Sequence, residues 1–213
     1  VPQGVWAIDG NSNIKVEGGL KVKEDTYYNI ENLLGKGSKY KNAFANGILT
    51  HTYLNVNDYH RYHFAVGGIV KEKKILKKNV ARRVTWDPKE GKYFVLHSID
   101  WEFFQTHGYV VVDTKKYGLV ALIPVGLGLV SSCNFEKNVT VGSMHKKGDM
   151  LGYFLFGGSD IIMLFQEKAG FRITAPADDT TASQPGSGHG SSITTYKHIF
   201  MGEKYGVLTG QTK

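Results

Sequence analysis

Residues 151–165 read LGYFLFGGSDIIMLF, two apolar β-forming runs joined through Gly157, Gly158 and Ser159. Glycine loses more backbone freedom on folding than any other residue. A glycine pair inside an apolar run therefore marks a bulge, a turn or a close approach of backbone. Similar runs recur along the chain: ILTHTYLNV (48–56), GYVVVDT (108–114) and GLVALIPVGLGLV (118–130) set β-branched and aromatic residues between glycine-containing turns. Residues 120–125 are apolar at odd and even positions alike, the pattern of a central strand covered on both faces. Helical spacing is scarce. NIENLLG (29–35) has Ile30, Leu33 and Leu34 on one side with Gly35 as a stop, and a second short helix is expected around residues 101–104. The expected class is α+β, mainly β, with antiparallel sheets or a barrel-like core and a few short helices.

A length of 213 residues fits a single domain spanning 1–213. The lone Cys133 excludes an internal disulfide and reads as a packed strand residue. The longest apolar run, residues 119–130, is broken by glycine and too short to cross a bilayer as a helix. Much of the net charge of +7 lies in KEKKILKKNVARR (71–83). That stretch reads as a strand pair with lysines toward water, and alternatively as a surface meeting anionic lipid. The aromatic-interleaved basic pattern of an RNA-binding sheet is absent, so no nucleic-acid partner is expected. ADDTTASQPGSGHGSS (177–192) is a polar loop or lid inside the same domain, because ITTYKHIFMGEKYGVL returns to strand-like alternation after it. The expected location is cytoplasmic, or peripheral at a membrane surface.

Four features carry chemistry. Asp9 follows a short apolar run in WAIDGNS (6–12). His60 and His63 lie three apart in DYHRYH (58–63), on opposite faces of a strand or on one face of a helical turn. A metal needs a third ligand, and no cysteine or acidic cluster lies near them, so no metal is expected. VTVGSMHKKGDMLGYF (139–154) reads as a hairpin turning at Gly148 and Asp149. Ser159 completes an acid, base and nucleophile set, but it lacks the G-x-S-x-G elbow of a serine hydrolase. Trp101 and Phe103, with Tyr59, are candidate substrate-binding side chains, since aromatic rings suit an apolar cavity wall.

AIDG (7–10), LNVNDYHRYH (54–63) and KKGDMLGYFLFGGSDIIMLF (146–165), with the late MGEKYG (201–206), resemble the phosphatidylserine decarboxylase family of pyruvoyl-dependent enzymes. The resemblance implies that the chain cuts itself between Gly158 and Ser159, giving a β piece, 1–158, and an α piece, 159–213, that stay associated. The serine hydroxyl attacks the preceding carbonyl, the resulting ester eliminates, and hydrolysis leaves a covalent pyruvoyl group derived from Ser159. On this pattern Asp9 orients His63, His63 is the base and Ser159 the nucleophile, while His60 handles substrate or returns a proton. The pyruvoyl carbonyl replaces pyridoxal phosphate, forming a Schiff base with a substrate amine and drawing electrons as CO₂ leaves. A homodimer is a further expectation.

Departures from the family's pattern bear on substrate. The start reads AIDG, where lipid-processing members commonly carry a proline-alanine-aspartate-glycine start. An Asn-Glu-Arg stretch is missing near FFQTHGYVVVDT (103–114), and Asp160 stands where threonine or serine is usual. LNV and the Ser-Ser-Cys of residues 131–133 are similar to soluble fungal members that decarboxylate free tryptophan. A free aromatic L-amino acid is therefore the expected substrate. Phosphatidylserine, converted to phosphatidylethanolamine, is the alternative, and a non-catalytic, degenerate β-domain a second one.

Overall fold

The computed structural model describes residues 2–16, 26–78, 84–95, 103, 105–126, 130–177 and 196–210. Strands are numbered along the chain. Seven of them form one sheet in the order β1 (Pro2–Ala7), β4 (Ile48–Leu54), β14 (Ser159–Phe165), β10 (Leu119–Gly126), β9 (His107–Asp113), β6 (Gly68–Leu76) and β12 (Met144–His145). Every neighbouring pair is antiparallel. A smaller sheet joins β11 (Asn134–Phe135), β13 (Met150–Tyr153) and β5 (Arg61–His63). Three two-stranded ribbons complete the strands: β2 (Asn13–Val16) with β3 (Thr26–Asn29), β7 (Val84–Asp87) with β8 (Lys92–Val95), and β15 (Phe171–Ile173) with β16 (Gly206–Leu208). The mainly β expectation holds. The barrel-like closure does not: the large sheet is open, with β1 and β12 at its two edges among the described residues.

The sheet is apolar on both faces because both are covered. Ile162 and Leu164 of β14 and Ala121 and Ile123 of β10 pack in one buried cluster with Leu33 and Leu34. Met163 and Phe165, with Val120 and Leu122, pack on the other side against Tyr62, Leu151 and Phe154 near the small sheet. This two-sided burial explains the unbroken apolar run at 120–125, since strand side chains alternate between faces. The short helix α1 (Glu31–Leu34) falls where its spacing predicts. The Asn29 side chain accepts from the first helical N–H at 2.8 Å, and Gly35, at φ +81°, ends the helix.

Three local readings change. The stretch 139–154 is not a hairpin: β12 pairs with β6, whereas β13 pairs with β5 and β11. Its turn stands where expected, with Gly148 at φ +89° and Asp149 Oδ2 accepting from the Lys146 N–H at 2.8 Å. The run GYFLF does not continue as a strand, because β13 stops at Tyr153 and 154–158 bends before β14 starts. The described part of the basic stretch, residues 71–78, is only partly turned to water, and 79–83 lie outside the described residues. Lys71, Lys74 and Lys77 are exposed, but Lys73 donates to the Val139 carbonyl at 2.6 Å and lies 5.9 Å from the Phe135 ring. Lys78 donates to the carbonyls of Asn32 and Phe103, and burial pulls its pKa down. The expected helix at 101–104, apart from Phe103, and the loop 178–192 lie outside the described residues.

Cys133 is packed as expected, 4% exposed with its Sγ 3.4 Å from the Pro124 carbonyl. Burial pushes its thiol up to about 11. At pH 8 it is a shielded thiol and not a nucleophilic thiolate. Native protein should therefore resist an aromatic disulfide reagent at pH 8, and one thiol should appear on denaturation. Rapid native labelling would contradict this burial.

Candidate self-processing site

Ser159 begins the strand that lies in the middle of the large sheet, its backbone paired with Leu54 on one side and Gly126 on the other. The strand alternation puts its side chain on the face of Met163 and Phe165, toward the small sheet, and sends Asp160 to the opposite face with Ile162 and Leu164. Ser159 is fully buried, and its Oγ has no hydrogen-bond partner among the described residues. Leaving a buried hydroxyl unpaired costs about 1–3 kcal/mol, so an orphan of this kind asks for a functional reason.

The peptide before it is held in an unusual way. Gly158 adopts φ +85°, a left-handed region that side chains avoid. Gly157 lies so close to the 54–58 turn that a Cβ there would meet the Val56 carbonyl oxygen at 2.5 Å. Both glycines are thus required by geometry, one by its dihedral and one by its neighbour.

Among the described residues, His60 is the imidazole bonded at this junction. Its Nε2 accepts the Gly158 N–H at 3.0 Å, while its Nδ1 lies 2.6 Å from the Asp58 carbonyl. A carbonyl only accepts and a neutral imidazole has one N–H. The proton therefore belongs on Nδ1, and the Nε2 lone pair faces the junction. The Asp58 carboxylate accepts from the Asn55 N–H at 2.9 Å and pairs with His198 at 3.2 Å. Burial acts to raise its pKa, but these partners outweigh it and hold the group below the usual carboxylate value.

The other expected residues stand elsewhere. His63 gives its Nδ1–H to the Gly148 carbonyl at 2.9 Å and accepts the Tyr59 hydroxyl at Nε2, also at 2.9 Å. Both ring nitrogens are engaged away from Ser159. Asp9 is not brought to the junction. It follows β1 beyond the Ala7–Ile48 pairing, whereas Ser159 pairs with Leu54, six residues along β4, or about 20 Å at about 3.3 Å per residue. Its carboxylate closes its own turn, accepting the N–H groups of Asn13 at 2.8 Å and Asn11 at 2.9 Å. The Asn13 bond above all holds its pKa down. Phe103 is a core residue, 1% exposed and stacked on Tyr28 at 4.7 Å between ring centres, on the sheet face opposite Ser159. Tyr59 is half exposed and bound to His63, and Trp101 lies outside the described residues.

One pair escaped the sequence reading. His51 Nε2 lies 3.0 Å from Asp160 Oδ1, with Asp160 1% exposed and His51 8%. The two atoms face one another without the in-line approach of a hydrogen bond. Part of the signal was present in the alternation. His51 shares its strand face with buried Leu49, and Asp160 shares its own with Ile162 and Leu164, so two polar groups point into an apolar layer.

An antiparallel β fold that buries an unpaired serine behind a left-handed glycine fits the class of pyruvoyl-dependent carboxy-lyases, whose reactive group is made from a serine of their own chain. The family model for phosphatidylserine decarboxylase matches residues 3–206, and the chain belongs to that family. It is similar to phosphatidylserine decarboxylase proenzyme 2 of Clostridium acetobutylicum, with 34% identity over 72% of this chain and 49% of that protein. It is also similar to the phosphatidylserine decarboxylase proenzyme of Fusobacterium nucleatum, with 28% identity over 95% and 65%. A third relative, phosphatidylserine decarboxylase proenzyme 2 of Oryza sativa, is 32% identical over 67% and 21%. The chain thus spans from about a fifth to two thirds of the length of these relatives.

Proposed function

We propose that this chain is the catalytic part of a self-processing phosphatidylserine decarboxylase, cut between Gly158 and Ser159. The carrying observation is the junction itself: a buried, unpaired Ser159 hydroxyl, Gly158 at positive φ, and the His60 lone pair on the Gly158 N–H. These residues fit a pyruvoyl group, because the Ser159 hydroxyl that must attack the Gly158 carbonyl is free of competing bonds. In the cut, Ser159 Oγ bonds to the Gly158 carbonyl carbon and the C–N bond breaks, giving an ester and a free amine on residue 159. Loss of the Cα proton then expels the Gly158 carboxylate. Water adds at residue 159, and ammonia leaves. The mature group supplies an electrophilic carbonyl that takes the substrate amine and accepts the electron pair released with CO₂.

His60 is suited to take the hydroxyl proton once its neutral Nε2 releases the Gly158 N–H that it accepts one peptide before the bond to be cut. The two pieces should remain together. β14 lies between β4 and β10, both in the larger piece, and His198 and Tyr205 of the smaller piece bond Asp58 and Thr52 of the larger.

Two observations favour phosphatidylserine over a free aromatic amino acid. The relatives with shared sequence are named for the lipid, and the bend leading into the junction carries bare apolar side chains. Leu155 is 62% and Phe156 70% exposed, beside Val56 at 59%. Exposed apolar clusters mark surfaces that meet a membrane or a partner, and a lipid presented from a bilayer suits such a rim. This is also the reason for a peripheral membrane location. Intact mass of purified protein should show two pieces split after residue 158, the smaller with a pyruvoyl mass at its start. Phosphatidylserine vesicles should then release CO₂, and free tryptophan, tyrosine or phenylalanine should not. A single stable chain of 23.6 kDa would leave a non-catalytic domain as the better reading.

A further inference from the structure

The His51–Asp160 pair joins two strands that self-cutting makes parts of different molecules. His51 lies on β4 in piece 1–158, and Asp160 is the second residue of piece 159–213. Their strands are adjacent, with Asp160 opposite Tyr53 and His51 opposite Ile162, so the pair is a diagonal contact on one face. Asp160 is 1% exposed, on a face otherwise built from Ile162 and Leu164. A polar side chain in such a layer calls for a polar partner, because burying a polar group without one is unfavourable. The Trp6 ring, 6.4 Å from the His51 ring, closes the layer beyond it.

Before the cut, the start of β14 is anchored from both directions along the chain. Afterwards residue 159 is a chain end, and strand ends fray. The peptide nitrogen of Asp160 then carries the reactive group directly. We propose that Asp160 is a positioning residue: its pairing with His51 clamps the new end of β14 to β4 and holds the reactive carbonyl of residue 159 in line. The pair touches neither the hydroxyl nor the substrate side of the sheet, and it acts through the backbone of residues 159 and 160.

The inference rests on the self-processing reading above, and the experiment separates the two. Wild-type protein that fails to split refutes the self-processing reading by itself. Given a wild type that splits, Asp160→Asn, His51→Gln and the exchanged double variant His51→Asp/Asp160→His are compared on phosphatidylserine vesicles. Each single variant is expected to split, and then to show kcat at least tenfold lower with KM within about twofold. Amide exchange at residues 160–162 of the cut protein should quicken at least tenfold, and phenylhydrazine should titrate the carbonyl in full. The exchanged variant should recover at least half of the lost kcat. If Asp160→Asn does not fold, His51→Gln carries the same readouts. Single variants matching wild type in kcat and exchange would overturn the proposal, as would an exchanged variant no better than the singles.

Discussion

Ser159→Ala leaves the chain whole. No 159–213 piece appears by intact mass at any time after purification, no carbonyl titrates with phenylhydrazine, and vesicle decarboxylation falls to background. The effect is complete because the hydroxyl oxygen is both the attacking atom and the leaving group of the elimination. The variant is also informative about stability. Ser159 is fully buried and its Oγ unpaired, so deleting it removes an unsatisfied polar group instead of a bond. Unfolding of the uncut alanine variant should therefore need at least as much denaturant as an uncut wild-type chain trapped by rapid purification. The gain should be up to about 1–3 kcal/mol, the cost of an unmade buried hydrogen bond. A clear loss of stability would show that Ser159 Oγ has a partner in solution. Persistent splitting of the alanine variant would move the cut away from residue 159.

The contrast between Ser159 and Asp9 shows how far the sequence could be read. Strand identity was legible because it depends on local composition: the runs around 48–56, 108–114 and 118–130 became β4, β9 and β10 close to their expected limits. The Gly-Gly-Ser break was legible too, since a positive φ and a close backbone approach both demand glycine. What was not legible is the distance between motifs. Asp9 and Ser159 flank opposite ends of β4, and only the pairing register, a property of three strands together, puts about 20 Å between them. The same limit made 139–154 look like a hairpin. Its turn residues are right for one, but β12 and β13 find better partners in two different sheets. Phe103 reads as a pocket aromatic in one dimension and is core in three, stacked on Tyr28. Alternation alone puts His51 and Asp160 each on an apolar face, but that the two meet depends on the β4–β14 register.

His60→Ala should slow self-cutting by about 10²–10⁴-fold, the range over which a positioned general base contributes. The reason is the direction of the lone pair. Asp58's carbonyl fixes the proton on Nδ1, so Nε2 is an acceptor, bonded to the Gly158 N–H in the peptide just before the one to be cut. His63 has the same tautomer and its Nε2 is likewise occupied, but by Tyr59, with its Nδ1 on the Gly148 carbonyl, so it braces the turn below β13 instead of touching the 157–159 junction. His63→Gln is therefore expected to slow cutting less than His60→Ala. Part of its effect should come through the bracing of β5, and should be shared by Tyr59→Phe. The rates are read from the loss of the uncut band in a pulse of fresh protein, with circular dichroism to confirm that each variant is folded. Added imidazole should partly restore cutting in His60→Ala, because removing the side chain leaves space beside Gly158 for a free base. If His63→Gln is instead the more severely blocked, and imidazole rescues only a His63→Ala chain, the proton is taken by His63. The turn at 58–63 would then have to rearrange before the chain cuts, releasing Nε2 from Tyr59.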